Sequence, residues 1–488
     1  MVNFQVFRMP IIKNKIFIYV VTRYLTYGLQ FLLSLAIAFK LGPFYLGIYG
    51  VVMLFISYIT QINLGIPHSL NVLLVHNKYD EKAQSKYAFN AFALFAYLSS
   101  LVLLGYVVSQ IFGKNTWGEY DLTLYLPLII SISILTYVNS IFTTIIRFRN
   151  MVNLMSILGT IPVLLNLIVV VFFKEERLVI VLAIVNILSV VSSILVCIYK
   201  KTLPEIRREY FAFSTQREIL HKGLFLFLYN SCFYFILIVV RTFVSRNYTI
   251  EEFGYFTFSY TLANSVMLLL ESLNTIIFPK TIDMLSTSSL DDKAVVLNKL
   301  RVGYITTSHL LIYLALLCFP ILVMIFTKYQ PALTSMNMIA LAVLMNTNSY
   351  GYNTLLIAQN KERISSRISL IALAVTIVSS FVLVNLLHID FSLAILSMML
   401  AYFIFSLIAT YEGDKLLRGK ASWRYTLSHF FPLKLLFPYS AALMISILKL
   451  ESLIFVPLVL FLILNYKDLG FLKSLVYKMI KNPDVIDV

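Results

Sequence analysis

Residues 39–74 read FKLGPFYLGIYGVVMLFISYITQINLGIPHSLNVLL. Leu41-Gly42-Pro43 ends one long apolar helix and Gly47-Ile48-Tyr49 opens a second, because glycine and proline are the strongest local punctuators of a helix. Gln61, Asn63, His68, Ser69 and Asn71 then interrupt an otherwise apolar run. The arrangement returns between Tyr248 and Lys280. A displacement of about 207 residues sets Gly47-Ile48-Tyr49 on Gly254-Tyr255-Phe256 without a gap, the mark of an internal repeat. The chain reads as two related halves.

Sixty percent hydrophobic residues over 488 positions exclude an ordinary soluble globule, and a mean hydropathy of +0.86 agrees. Apolar runs of about 20 residues are long enough to cross a hydrocarbon core of about 30 Å. The fold class expected is therefore an all-α polytopic membrane protein. The spans read Ile16–Phe39, Phe44–Leu74, Tyr87–Phe112, Leu122–Ile146, Met151–Phe173, Leu178–Tyr199, Gly223–Ser245, Gly254–Phe278, Val302–Thr327, Ala332–Ala358, Ile364–Leu387, Phe391–Tyr411, Phe430–Leu448 and Leu453–Tyr466. That makes about fourteen transmembrane helices, with twelve as the alternative, arranged as two related six-helix bundles plus a C-terminal helix pair. The second span is overlong and is expected to tilt or protrude. Domain limits follow at 1–210, 211–411 and 412–488, the last holding a linker, two further helices and a tail.

The net charge of +16 does not signal nucleic acid. With the N-terminus inside, interior segments hold 30 Lys and Arg against 8 in outside loops, and Arg23 lies within the first span. That bias orients the chain by the positive-inside rule, with both termini cytoplasmic. Arg8, Lys13 and Lys15 precede the first apolar run without a convincing cleavage site, so it is expected to be retained. The largest interior loop, Lys200–Lys222, is the natural connector between bundles, and its basic residues suit a headgroup-facing linker.

Chemistry is sparse. No Walker glycine loop is present, the six histidines and three cysteines show no ligand spacing, and no cofactor is implied. The outside loops are too short for a catalytic domain. The chain reads as a conduit and not an enzyme. Trp117 and Trp423 fall at membrane interfaces, as belt residues do.

Ionisable groups at membrane depth are costly and mark function. Arg23 lies about seven residues, roughly 10 Å, inside its span, and Glu271 lies at a similar depth from the same side. Opposite charges at matched depth in different halves suit a pair across a central cavity; for Arg23, snorkelling to the inner headgroups stands beside it. Arg241 and Arg246 sit near the outer end of the seventh span, and their spacing puts them on different faces. Lys40 ends the first span on that side. A phosphate-bearing substrate needs such cations at the outer mouth, as does interfacial anchoring. Gln61, His68 and Asn230 are polar groups able to face a hydrated cavity or to bond between helices.

The run LGPFYLGIYG at 41–50, its echo EEFGYFTFSY at 251–260, Phe278-Pro279-Lys280 and the 6+6+2 layout resemble the MOP (multidrug/oligosaccharidyl-lipid/polysaccharide) exporter superfamily, most of all the Wzx-type O-antigen and polysaccharide flippases. The resemblance covers essentially the whole chain. It implies an inner-membrane protein that moves undecaprenyl-pyrophosphate-linked oligosaccharide outward by alternating access. It also implies membrane lipids and a lipid-linked oligosaccharide as partners, a polysaccharide polymerase and chain-length regulator nearby, and H+ or Na+ as coupling ion. Where relatives carry acidic residues near positions 63 and 240–241, this chain has Asn63 and Arg241. A lipid II flippase and a cation-coupled drug exporter of the MATE branch share the scaffold, but the drug exporter calls for acidic cavity residues. A polymerase or ligase calls for a large outside loop, and a major-facilitator transporter for a glycine-rich basic loop after its second helix. Residues 76–81, HNKYDE, are not one.

Overall fold

A computed structural model of the chain describes residues 15–113, 116–205, 207–263, 265, 266, 285 and 290–481. The described residues are nearly all helical. Their one sheet is a hairpin in which β1 (Thr116–Trp117) pairs antiparallel with β2 (Tyr120–Asp121). The chain divides into two compact units, Met1–Phe227 and Leu228–Val488.

The first unit holds α1 (Lys15–Gln61), α2 (Ile66–His76), α3 (Glu81–Ile111), the hairpin, α4 (Leu126–Phe148), α5 (Val152–Phe172), α6 (Glu175–Tyr199) and the start of α7 (Phe213–Asn247). At 47 residues α1 is about 70 Å long, more than twice a hydrocarbon core. Gly42, at φ 67 and ψ 175, leaves the helical region just before Pro43 and splits α1 into two limbs. The punctuation expected at residues 41–43 is therefore the break between the first two spans.

The second expected span, Phe44–Leu74, does not run through. The chain leaves α1 after Gln61, passes Leu64 (φ 51) and Gly65 (φ 71), and resumes at α2. Asn63 explains this: its Oδ1 accepts from the Gly65 N–H at 3.0 Å and its Nδ2 donates to the Thr60 carbonyl at 3.2 Å. Such local bonds compete with the helical ladder. α7 begins earlier than the expected Gly223, because Gln216 and Ile219 are buried and nothing breaks the helix before them. Asn90 on α3 pins the preceding turn, donating to Tyr210 O at 2.8 Å and accepting from Ala212 N at 3.1 Å.

The second unit continues α7 and adds the helical residues 250–263, α8 (Leu290–Ile325), α9 (Leu333–Thr347), α10 (Tyr352–Ala358), α11 (Glu362–Ser380), α12 (Leu396–Arg418), α13 (Trp423–Phe430), α14 (Leu433–Ile447), α15 (Val456–Leu464) and α16 (Tyr466–Lys481). A π-helical turn, Phe381–Leu386, ends α11. The expected span Ala332–Ala358 is broken between α9 and α10, where Gly351 has φ 86.

Among the described residues nine helices are long and apolar enough to span a membrane, or eleven if two bent pairs are each one span: Trp423–Phe430 with Leu433–Ile447 (64°) and Glu451–Leu464 with Tyr466–Ser474 (73°). Three features separate this from fourteen. α1 counts once although Gly42 divides it, the Ala332–Ala358 span is in two short pieces, and most of Gly254–Phe278 lies outside the described residues. Exposed Ile157, Leu164, Ile168, Val171 and Phe172 on α5 alone form an apolar face that water would not tolerate and lipid requires. This is a multi-pass membrane protein.

Candidate functional site

In the first unit the polar residues gather at the break after α1. Tyr137 of α4, stacked on Phe95 with centroids 4.9 Å apart, donates its hydroxyl to the Ile59 carbonyl and lies 3.4 Å from that of Ile62. One phenol thus holds the carbonyls that the broken ladder frees. The break is also a close crossing. A Cβ on Gly223 of α7 would sit 2.0 Å from Ser69 Oγ and 3.0 Å from Gly65 O, and one on Gly65 would sit 2.7 Å from Phe227 Cβ. Gln61 and His68 flank this turn, both half-buried. Lys40 is half-buried and donates to the Val171 carbonyl at 3.5 Å, at the end of α5. Arg23 lies in α1.

In the second unit Arg241 is buried, 5% exposed, while Arg246 and Asn230 are exposed on the same helix. The Arg241 guanidinium lies 4.9 Å from the Tyr260 ring centroid and 5.8 Å from that of Phe253, so its charge rests on aromatic faces. Nearby on α7, Phe233 stacks on Tyr402 of α12 at 5.1 Å, and Tyr229 on Phe405 at 6.3 Å. Glu271 lies outside the described residues, and with it the expected pair to Arg23.

A second group went unseen in the sequence. Arg301 of α8 is 4% exposed and Asp414 of α12 is 2% exposed. The Tyr352 hydroxyl stands between them, 3.3 Å from Arg301 Nη1 and donating to Asp414 Oδ1 at 2.9 Å. Arg301 Nη2 donates to the Asn348 carbonyl at 3.1 Å, at the break between α9 and α10, and the guanidinium carbon lies 4.5 Å from the Tyr352 centroid. His309 bridges Asn348 Oδ1 (3.0 Å) and the Tyr313 hydroxyl (3.2 Å). Gly413 makes the packing possible, since a Cβ there would meet the Tyr352 ring at 2.2 Å. The signal was faint because Arg301 falls just before the expected span Val302–Thr327 and Asp414 just after Phe391–Tyr411, where both pass for loop charges.

Broken helices and buried cations in a two-unit helical membrane protein are features that transporter folds share. No protein-family model matches the chain, and no curated protein matches it. Solved structures do. An inward-facing multidrug resistance MATE transporter of the MOP superfamily matches with TM-score 0.65 at 12% identity, over 82% of this chain and 98% of that one. An outward-facing MATE transporter matches with TM-score 0.58 at 11% identity, over 83% and 96%. A MOP superfamily transporter from Pyrococcus furiosus, described as having a binding pocket of reverse polarity, matches with TM-score 0.54 at 13% identity, over 83% and 95%. The chain has the fold of the MATE transporters of the MOP superfamily.

Proposed function

We propose that the protein is a flippase that carries undecaprenyl-pyrophosphate-linked oligosaccharide units, of O-antigen, capsule or a related polysaccharide, across the cytoplasmic membrane by alternating access. The observation that carries this reading is the sign of the buried charge. Among the described residues the buried charged side chains are Arg241, Lys293, Arg301 and Asp414, three cations to one carboxylate. Cationic drugs would call for the opposite balance, whereas a pyrophosphate head needs cations to offset its desolvation. The isoprenoid tail stays in lipid, so the crossing cost belongs to the head.

In this reading the count is fourteen helices in lobes 1–210 and 211–411 followed by a pair within 412–488, with both termini cytoplasmic. Reporter fusions at Lys82, Arg208 and Lys293 are expected to read cytoplasmic, and those at Asn115, Glu175 and Asn247 external. A cytoplasmic signal at Glu175 overturns the count and the two-bundle scheme together. Substrate contact is assigned to Arg241 first, with Gln61, His68, Asn230, Arg246, Lys40, Arg23 and Glu271 as further members.

The direct test is glycan display in cells that depend on this chain. Arg241→Ala is expected to lower display by about tenfold, equivalent to about 1.4 kcal/mol. Arg241→Lys is expected to fall between, because it keeps the charge and loses the planar fork. Abundance is checked by immunoblot. Normal display in Arg241→Ala at normal abundance removes Arg241 from the substrate path. Efflux of cationic dyes that depends on the protein would favour a drug exporter instead.

A further inference from the structure

Within the second unit, a cavity of about 520 Å³ opens between the start of α8, α10, the end of α12 and α13. Its lining includes Arg301, Lys299, Arg418, Tyr425 and His429 over apolar Leu297 and Leu417. Lys299 and Arg418 are exposed, and Arg301 lies deeper. Arg418 stacks on Tyr425, its guanidinium carbon 4.2 Å from the ring, and Tyr425 stacks on His429 at 5.5 Å. The charges of Arg301 and Arg418 both bear on His429. The Arg301 Nε is buried and has no hydrogen-bond partner. A buried guanidinium nitrogen left without an acceptor is costly unless something supplies one.

Asp414 does not supply it. Its oxygens take the Tyr352 hydroxyl at 2.9 Å and the Thr426 hydroxyl at 3.4 Å. No carboxylate among the described residues lies within salt-bridge distance of Arg301, Arg418 or Lys299. Three cations and one carboxylate leave a formal surplus of two positive charges in a pocket of ligand-binding size. A phosphate monoester carries about −1.5 to −2 at pH 7, with three acceptor oxygens that suit guanidinium forks. A phosphodiester or a carboxylate, with one charge, leaves the surplus half met.

We propose that this cavity is a binding site for a phosphate-monoester group, with Arg301 as its floor and Arg418 and Lys299 as its rim. It is separate from the Arg241 group; it shares Arg301 and Asp414 with the charge balance behind the flippase reading, but its test does not depend on that reading. The dianion has two possible sources, a soluble phosphate ester or the head group of a phosphatidic-acid-type lipid.

The test uses the purified full-length chain in phosphatidylcholine nanodiscs, with thermal unfolding as readout. In one arm inorganic phosphate is titrated against chloride at constant ionic strength; in the other the nanodiscs carry phosphatidic acid or, as monoanionic control, phosphatidylglycerol. Stabilisation by phosphate identifies a soluble source, and stabilisation by phosphatidic acid beyond phosphatidylglycerol a lipid source. In either case Arg418→Gln is expected to weaken the response about tenfold and Lys299→Gln by less, as loss of a charge-assisted pair should. Both residues are exposed, so both variants should fold. The proposal is overturned if neither dianion stabilises the protein, or if Arg418→Gln responds as the parent does.

Discussion

Asp414→Ala is expected to destabilise the second unit by about 3–5 kcal/mol, the cost of removing one member of a buried charged network. The substitution takes from Arg301, 4% exposed, the one buried carboxylate among the described residues, which reaches it through the Tyr352 hydroxyl. Tyr352→Phe should cost less, about 1–3 kcal/mol, because it unpairs two buried groups but leaves both charges in place. The decisive variant is the double replacement Asp414→Leu with Arg301→Met. Apolar side chains of similar volume avoid the desolvation that the two buried charges carry, so the double variant should regain most of the loss. Unfolding in mixed neutral-detergent and SDS micelles measures each step. If the double variant is no more stable than the worse single one, the network is not an energetic unit. Loss of stability in Asp414→Ala with phosphate binding intact would also separate this framework role from the anion site, since Arg301 is kept there.

Gly223→Val is expected to destabilise the first unit, for a steric reason. The new Cβ would lie 2.0 Å from Ser69 Oγ and 3.0 Å from the Gly65 carbonyl, so α2 and α7 must separate. Overpacking of this kind costs about 1–3 kcal/mol where neighbours yield, and backbone yields least. Gly65→Ala meets two penalties, about 1–2 kcal/mol for a left-handed φ and a contact of 2.7 Å with Phe227 Cβ. Gly419 is the control: it has the same φ of 71 with nothing within 4 Å, so Gly419→Ala should bear the conformational cost alone. Shortening Ser69 to glycine should relieve part of the Gly223→Ala defect and none of Gly65→Ala. Equal damage at residues 65 and 419 would remove the close crossing as the cause.

Much of the architecture was legible beforehand. Apolar runs set membrane residence, and Leu41-Gly42-Pro43 marked a break that Gly42 makes with its φ of 67. The second break, after Gln61, was harder to see. Asn63 and Gly65 are modest signals alone, and the support that Tyr137, far away on α4, gives the Ile59 and Ile62 carbonyls cannot be read from spacing. Arg241 drew attention as a charge within a span, but its aromatic cover from Phe253 and Tyr260 depends on a neighbouring helix. Arg301 and Asp414 were hidden by position, since each sits where a span was expected to have ended.

The sequence by itself determined that the chain is helical and membrane-embedded. Those properties follow from hydrophobic length and glycine–proline punctuation, which are local. Tertiary structure alone decided which polar residues work together. Arg301, Tyr352 and Asp414 are separated by more than fifty positions at each step, and no periodicity links them. They meet because an ion in a low-dielectric interior must find its partners wherever the packing of helices brings them, and helix packing is written in shape rather than in spacing.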